Sequence, residues 1–315
     1  MPPTSVVAIA SSPNDLPVIA VPTPGRLARR TGRLPSRRCL AGPCDHARGR
    51  RLQMITPRIE VLAVDLDGTA LGSSGVLSST MCDALDAAAA HGLRVWFVSA
   101  RPVWSIRSLT SSVCKPDLAI GAAGAVVIDR CDRLMLRRPL SAAAVQHSLD
   151  TTQRHHGAAL VYRGEQVSTT GAHPRLDVEV RVTARHPPEP EDGSPADKIL
   201  VFTTEGSALE QALDASGDHQ LARSSSILLE VTARGVDKGS ALAAAAATEG
   251  VGQHAMAAVG DSANDLPMLR WVGLPIAVAN AVPSVLDVAA VHVPSNDEDG
   301  VAVWIDSWMS GRSVE

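Results

Sequence analysis

The sequence predicts an α/β fold built on a parallel sheet, and three observations support this prediction. Short apolar runs recur along the chain from about residue 59, which is typical of strands that are buried on both faces of a sheet. Helical segments separate these runs, and such crossovers favour parallel strands. A segment of different texture, rich in Pro, His and Arg, interrupts the alternation and predicts a second, inserted α/β domain.

The first block of the alternation, residues 56–137, predicts one part of the sheet. The runs IEVLAV, LRVWFV and LAIG predict three strands. Ser78 and Ser79 offer capping oxygens for a helix through STMCDALDAAAAH, which Gly92 ends. A second helix is expected to start after Pro102 and to run through WSIRSL, and GAAGAVVIDR indicates a turn into a hairpin.

The inserted segment, residues 138–232, predicts a small α/β domain of its own. Its stretch HPPEPEDGSPADK is polar and Pro-rich, which is typical of a loop. The runs KILVFTT and ILLEVT predict strands, and SALEQALDA between them predicts a helix.

The last block, residues 233–315, returns to the regular alternation. VDKGSALAAAAATEG predicts a helix that opens at Asp237 and closes near Gly250. The strand HAMAAVG leads into Asp261, and DLPMLRWV predicts a short helix that tolerates Pro267 in its first turn. PIAVAN predicts another strand, and AVPSVLDVAA and GVAVWIDSWM predict the closing helices. This block is therefore expected to complete the sheet that the first block begins.

Composition argues against two classes of protein. The chain has 315 residues, 45% of them hydrophobic, and a net charge of −4, whereas a nucleic-acid-binding protein normally carries a basic excess. No apolar run approaches the ~20 residues of a membrane helix. We therefore expect neither a nucleic-acid partner nor a membrane partner. The five cysteines do not form a disulfide framework, which predicts reduced thiols and a cytoplasmic location.

Residues 1–55 differ from the rest and predict a disordered basic extension. Up to Gln53 the chain carries nine arginines, no lysine and two aspartates, with many Pro, Ser and Ala residues and no steady period. A start at Met54 and a leader that resembles a transit peptide remain alternatives. Cys39 and Cys44 lack further ligands at a sensible spacing, so no zinc site is predicted there.

Polar residues follow the predicted strands at the point where each strand ends. Those directly after a strand are Asp65, Asp67, Ser99 and Asp261. Ligands of open parallel sheets bind beyond the carboxyl ends of the strands, so residues almost two hundred positions apart can meet at one edge. Asn264 and Asp265, at the start of the following short helix, are placed to face the same edge.

Such a cluster of carboxylates needs a cation, because like charges a few ångströms apart repel strongly. Magnesium is a good candidate because it prefers oxygen ligands and keeps several waters. Lys238, at the start of a predicted helix, is a second source of positive charge.

Other readings of VLAVDLDGTA explain less. In a calcium loop that starts at Asp65, the required Gly would fall on Ala70 and the final acid on Val76. A surface turn explains one Asp-Gly pair, but it does not explain the second acidic cluster after another strand. ARGVDKGS lacks the spacing of a phosphate-binding P-loop.

Four segments together resemble the motifs of the haloacid dehalogenase-like hydrolases: AVDLDGTAL, VSARP, VDKGSAL and GDSANDLPML. Their order and spacing, and the run GLPIAVANAVPSVLDVAAVHVPSNDEDGVA, resemble the Cof-type phosphatase branch. The resemblance covers about residues 58–310. It implies a Rossmann-like parallel-sheet core domain, residues 56–137 and 233–315, and an inserted α/β cap domain, residues 138–232.

The resemblance also implies roles for individual residues. Asp65 would attack phosphorus and form an aspartyl-phosphate. Asp67 would protonate the leaving oxygen and then take a proton from water. Ser99 and Lys238 would hold the phosphoryl oxygens. The ligands of Mg²⁺ would be Asp65, the backbone carbonyl of Asp67, and Asp261.

Further residues would support this site. Gly68 would permit the tight turn after the nucleophile, and Thr69 would hydrogen-bond within that turn. Asn264 and Asp265 would support the metal, Lys238 or the phosphate, with Asn264 assigned to phosphate binding. Arg101 either reaches the substrate or forms a structural ion pair.

The chain departs from the family pattern at three places. Ser99-Ala100-Arg101 stands where Thr-Gly-Arg is usual, and Ala cannot adopt positive φ as cheaply as Gly. Ala123-Gly124-Ala125 stands where Asn-Gly-Ala is usual, which removes an amide near the site. Ala70 replaces a larger apolar residue.

The resemblance therefore implies a magnesium-dependent phosphatase that hydrolyses a small phosphorylated metabolite through an aspartyl-phosphate. A sugar phosphate is the first candidate for the substrate, and a phosphorylated cofactor such as a flavin or pyridoxal species is the next. A phosphosugar mutase and a catalytically silent binding or regulatory protein on the same scaffold are the alternatives. No feature of the sequence predicts an oligomeric state.

Overall fold

The computed structural model describes residues 58–111, 116–184, 186, 188–204 and 206–311. The predicted disordered extension, residues 1–55, lies outside these described residues. None of the helices in these described ranges is long and apolar enough to cross a membrane.

Strands and helices alternate along most of the described chain. Its described strands are, in chain order, β1 (Val61–Val64), β2 (Arg94–Val98), β3 (Leu118–Gly121), β4 (Val126–Asp129), β5 (Leu134–Arg137), β6 (Ala158–Arg163), β7 (Gln166–Thr170), β8 (Lys198–Phe202), β9 (His219–Arg223), β10 (Leu228–Ala233), β11 (Met256–Gly260), β12 (Leu274–Val278) and β13 (Val291–Val293). Its described helices are α1 (Ser79–Ala90), α2 (Val103–Thr110), α3 (Ala142–Arg154), α4 (Leu176–Thr183), α5 (Ala208–Asp214), α6 (Lys238–Glu249), α7 (Leu266–Trp271), α8 (Pro283–Leu286) and α9 (Gly300–Met309).

The larger sheet has the strand order β13-β12-β11-β1-β2-β3-β4-β5. Neighbouring strands from β13 to β3 pair in parallel, and β4 and β5 add an antiparallel edge. The central strands are buried along their whole length, as continuous apolar runs such as VLAV predict. The predicted α/β fold class with a parallel-sheet core is therefore confirmed.

The smaller sheet is antiparallel, with the strand order β7-β6-β8-β10-β9, and it carries apolar clusters on both faces. It has more elements than the strand–helix–strand that the sequence predicts, because β6, β7, β9, α3 and α4 were not anticipated. Helix α3 buries several Ser and Thr residues, and β9 is mostly half-exposed, so neither shows a clear apolar pattern.

Predicted helix ends agree with the structure. Ser78 caps α1 by accepting the backbone N–H of Met81, and Asp237 caps α6 in a reciprocal pair with Ser240. Gly250 ends α6 in the left-handed conformation, with φ 68°. The helix expected from AVPSVLDVAA is shorter than predicted, since α8 covers only PSVL.

The turn after β3 contains two consecutive residues in a strained backbone conformation. Ala122 and Ala123 have φ of 50° and 55°, a region that Asn and Gly enter more cheaply than Ala does. Gly124 follows with φ 104°, and a Cβ there would lie 2.3 Å from the carbonyl oxygen of Asp237. Ala100, by contrast, is not among the described residues with positive φ, so the strain expected at that departure is absent.

Candidate active site

The register of the central strands brings the predicted site residues to one edge of the larger sheet. Val64 is paired with Phe97 of β2 on one side and with Val259 of β11 on the other. Asp65 follows Val64 directly, and Ser99 and Asp261 lie two residues beyond Phe97 and Val259, so the three residues emerge at the same end of neighbouring strands. In this way parallel pairing places Asp65, Ser99 and Asp261 together although they are far apart in the chain.

Lys238 lies at the centre of the cluster. Its Nζ donates to Oδ1 of Asp65 at 2.7 Å and to Oδ1 of Asp265 at 2.6 Å. A longer bond of 3.2 Å reaches Oδ1 of Asn264. All four side chains are buried. Lys238 is the first residue of α6, so the Asp237 cap that starts this helix also fixes where the ammonium group lies.

The charges of this cluster do not balance. Burial lowers the pKa of Lys238, but the nearby carboxylates of Asp265 and Asp65 more than offset this, and its pKa is raised above the ordinary value. Burial and repulsion from Asp265 raise the pKa of Asp65 well above its usual range, although Lys238 opposes them. The same two causes raise the pKa of Asp261 to about 7. Within the part of the chain that the structure describes, one ammonium therefore faces the three carboxylates of Asp65, Asp261 and Asp265.

The donor set fits a hard divalent cation. Asp65, Asp261 and Asp265 each offer an oxygen, and these atoms lie within 4.8 Å of one another. Asp265 is already engaged, because its Oδ2 accepts the backbone N–H groups of Asp261 and Ser262 at 3.1 and 3.0 Å. Among the described residues no hydrogen bond reaches Oδ2 of Asp65 or of Asp261. Free carboxylate oxygens such as these are ligands that Mg²⁺ prefers.

The turn after Asp65 packs directly against Asp261. Gly68 has φ 81°, and a Cβ there would lie 2.4 Å from Oδ2 of Asp261, so no other residue fits. Thr69 donates from Oγ1 to Oδ1 of Asp261 at 3.2 Å. Nδ2 of Asn280 donates to the carbonyl oxygen of Gly68 at 2.7 Å. Asn280 was not predicted, although its place just beyond β12 at the same sheet edge is a signal that could have found it.

Asp67 lies on the solvent side of the cluster, and its side chain is 53% exposed. Arg101 donates hydrogen bonds to both carboxylate oxygens of Asp67, from Nε to Oδ2 at 2.7 Å and from Nη2 to Oδ1 at 2.5 Å. The structure thus shows the ion pair that was one of the two expectations for Arg101. In this arrangement both carboxylate oxygens of Asp67 are occupied by the guanidinium of Arg101.

Ser99 is buried at the end of β2, and its Oγ accepts the backbone N–H of Arg101 at 3.1 Å. A cavity of about 250 Å³ lies beside the cluster, and Ser99 is not among its lining residues. Its neighbours Ala100 and Arg101 line the cavity instead. Ser99 therefore lies behind the cavity wall, unlike most of the other predicted site residues. The predicted residues on the wall are Asp65, Asp67, Arg101, Lys238, Asp261 and Asn264.

Residues of the smaller sheet and its helix α4 line the opposite wall of this cavity. They include Tyr162, Glu179, Lys198 and Glu230, none of which was predicted. Lys198 opens the run KILVFTT, and Glu230 lies inside the run ILLEVT. A charged residue within an otherwise apolar strand is the signal that could have found both of them.

Comparison with known proteins agrees with this geometry. The family model described as haloacid dehalogenase-like hydrolase matches residues 62–305. Two relatives from Bacillus subtilis (strain 168), named 5-amino-6-(5-phospho-D-ribitylamino)uracil phosphatase YcsE and YwtE, are each 27% identical to the chain. The alignment with YcsE covers 80% of this chain and 96% of YcsE, and that with YwtE covers 81% and 99%.

A solved structure of a haloacid dehalogenase-like hydrolase from B. subtilis is also similar. It is 25% identical, has a TM-score of 0.70, and the match covers 79% of this chain and 99% of that one. The matching family model covers most of the chain, and YcsE and YwtE are both named phosphatases. The chain therefore belongs to the haloacid dehalogenase-like hydrolases and is a hydrolase that acts on phosphoric monoesters.

Proposed function

We propose that this enzyme is a magnesium-dependent phosphatase that acts on a small phosphorylated metabolite through an aspartyl-phosphate on Asp65. One observation carries the proposal. Among the described residues, the ammonium of Lys238 is the one cation at a cluster of three carboxylates, and both Asp65 and Asp261 keep one oxygen free beside the cavity. A bound Mg²⁺, held by Asp65, Asp261 and the backbone carbonyl of Asp67, would supply the missing positive charge and shield the phosphate from the nucleophile.

The residues of the chain divide the work between them. Oδ2 of Asp65 attacks phosphorus, the bond from phosphorus to the leaving oxygen breaks, and Asp67 gives its proton to that oxygen. Asp67 then takes a proton from the water that hydrolyses the aspartyl-phosphate. The ammonium of Lys238 keeps Oδ1 of Asp65 in place and, with Asn264, stabilises the phosphoryl oxygens.

The two sheets suggest how the chain is divided. We assign residues 56–137 and 233–315 to the hydrolase core and residues 138–232 to the cap that selects the substrate. Strand β5 of the larger sheet ends at Arg137, and helix α3, which packs with the smaller sheet, begins at Ala142. The cap closes one side of the cavity, which would exclude water from the reaction.

The substrate class follows from the cavity and the relatives. A cavity of about 250 Å³ suits a small molecule, and its lining includes charged groups on both walls. YcsE and YwtE are named for a substrate in which a phosphate is attached to a ribityl chain. A polyol or sugar phosphate is accordingly our first candidate, and a phosphorylated cofactor is the second.

The proposal is tested by measuring phosphate release from a broad panel of phosphorylated metabolites, with and without Mg²⁺. We expect turnover of at least one polyol or sugar phosphate, and we expect turnover to be lost when EDTA removes the metal. Absence of phosphate release from every compound would favour a silent binding protein. Transfer of the phosphate within a sugar, without release, would identify a mutase.

The stability of the metal-free protein is expected to fall as the pH rises from about 4 to about 7. In the fold, the pKa of Asp261 is raised to about 7, whereas an unfolded aspartate titrates at ~3.9. Between these values the folded state holds a proton that the unfolded state has lost, so this stabilisation is present at low pH and disappears as Asp261 ionises. Thermal unfolding measured across this range checks the expectation.

Mg²⁺ should reverse the loss above about pH 7, because the cation then takes the place of the proton. Asp261→Asn is the matched control, and it should flatten both the pH dependence and the response to Mg²⁺. A variant that kept the full dependence on pH and Mg²⁺ would show that other groups are responsible.

A further inference from the structure

Glu230 is a buried carboxylate that the phosphatase mechanism does not use. It lies on β10 of the smaller sheet, is 1% exposed, and lines the same cavity as Asp65. Its Oε1 is 3.4 Å from Nδ2 of Asn264 and 3.9 Å from Nζ of Lys198. Its Oε2 has no hydrogen-bond partner among the described residues.

A buried carboxylate oxygen without a donor is costly. Native proteins satisfy nearly all buried polar atoms, and an unsatisfied one costs about 1–3 kcal/mol, or more when it is charged. Such an atom at the wall of a binding cavity is therefore expected to find its donor in a bound molecule. Because Oε2 is also closed to solvent, a hydroxyl or amine that enters the cavity reaches this acceptor after a small rotation of the Glu230 side chain.

The neighbouring polar groups are already engaged. Nζ of Lys198 donates to the carbonyl oxygen of Ala100 at 2.6 Å and lies 5.1 Å from the centroid of the Tyr162 ring. The hydroxyl of Tyr162 is 2.8 Å from Oγ1 of Thr183. Glu179 also lines the cavity, but it is partly exposed, so water can satisfy it. Among these groups, Glu230 is the buried acceptor left for a ligand.

Asn264 connects this acceptor to the phosphate end of the site. Its Oδ1 accepts from Nζ of Lys238 at 3.2 Å, and its Nδ2 points to Oε1 of Glu230. Glu230 is thus separated from the reacting carboxylate, Asp65, by Asn264 and Lys238. A molecule whose phosphate is held at Lys238 would bring its leaving group, rather than its phosphate, towards Glu230.

We propose that Glu230 determines specificity by accepting a hydrogen bond from a hydroxyl or amine of the leaving group, so that polyhydroxylated phosphate esters are preferred over apolar ones. The inference rests on the proposed phosphatase function of the same site. It assigns the recognition of the leaving group to a residue of the smaller sheet, separate from the residues that act on the phosphate.

A matched set of probes tests the inference. Ribitol 5-phosphate, ribose 5-phosphate and glucose 6-phosphate carry hydroxyl groups, and pentyl phosphate has a chain of similar length without them. For the wild-type enzyme, kcat/KM for the best hydroxylated probe should exceed that for pentyl phosphate by a factor of about 100 or more. Equal values for all of the probes would overturn the proposal.

Glu230→Gln should lower kcat/KM for the hydroxylated probes and so reduce this preference about 10- to 100-fold. The kcat/KM for pentyl phosphate should change by less than about threefold. Glu189→Gln, at an exposed glutamate outside the cavity, is the control and should change neither value. Equal losses on both kinds of probe would show a purely structural role and would refute the proposal. An unchanged preference would refute it as well.

Two measurements separate this result from other failures. The thermal unfolding of Glu230→Gln shows whether the variant folds: we expect one cooperative transition above the assay temperature, because the amide keeps the shape of the side chain and the oxygen that faces Asn264, although it loses the ion pair with Lys198. If the variant fails to fold, the wild-type enzyme is compared on each hydroxylated probe and on its deoxy analogues. A higher kcat/KM for the hydroxylated probes supports the proposal, and equal values overturn it. If wild-type enzyme releases no phosphate from any probe, pentyl phosphate included, the proposed phosphatase function itself fails.

Discussion

Asp65→Asn is expected to abolish phosphate release, with a loss in kcat on the order of 10⁵-fold or more. The amide has nearly the same shape, and its Oδ1 can still accept from Nζ of Lys238 at 2.7 Å. An amide cannot form the bond to phosphorus, so the reaction loses its first step. Phosphate release from the best substrate of the panel, with Mg²⁺ present, measures the effect.

Binding and stability distinguish a lost nucleophile from a lost fold. Beryllium fluoride, which mimics an aspartyl-phosphate, should raise the unfolding midpoint of the wild type with Mg²⁺ but not that of Asp65→Asn. Without Mg²⁺ the variant should be at least as stable as the wild type, because burial and Asp265 raise the pKa of Asp65 and make its charge unfavourable. Full activity in Asp65→Asn would refute the nucleophile assignment.

Lys238→Met is expected to lower kcat about 10²- to 10³-fold and to destabilise the metal-free protein by about 3–5 kcal/mol. The ammonium is buried and is the cation that touches both Asp65 and Asp265. Its loss leaves the buried carboxylates of Asp65 and Asp265 without a compensating charge. Denaturant unfolding and steady-state kinetics measure the two effects separately.

A double variant tests the physical cause. Lys238→Met with Asp265→Asn removes one buried negative charge together with the ammonium, so it should recover part of the stability without recovering activity. Equal stability of the single and double variants would show that packing of the lysine stem, rather than charge, dominates. Near wild-type activity in Lys238→Met would contradict its role at the phosphate.

Residues at the ends of central strands were open to prediction from the sequence. Asp65 and Asp261 each follow a short, wholly apolar run, and parallel strands bring such positions to one edge. Lys238 was predictable because Asp237 marks the start of a helix. Apolar runs mark the buried strands and capping residues mark the helix starts, so the central part of the fold can be predicted from these local patterns.

The opposite wall of the cavity was not open to prediction. Lys198 and Glu230 occupy neighbouring antiparallel strands of a sheet whose elements were only partly predicted. The contact of Lys198 with Ala100 joins residues 98 positions apart in the chain. No periodic pattern encodes such a contact, because it depends on how the smaller sheet lies against the loop after β2.

The sequence by itself determined the parallel-sheet core and the acidic cluster at its edge, since strand burial and helix capping are local properties that recur in the order of the chain. Only the tertiary structure decided which charges meet. It paired Arg101 with Asp67, gave Lys238 two carboxylate partners, and left Glu230 with a free oxygen. These outcomes depend on distances of a few ångströms between distant segments, and at that range burial and pairing control the energy of each charge.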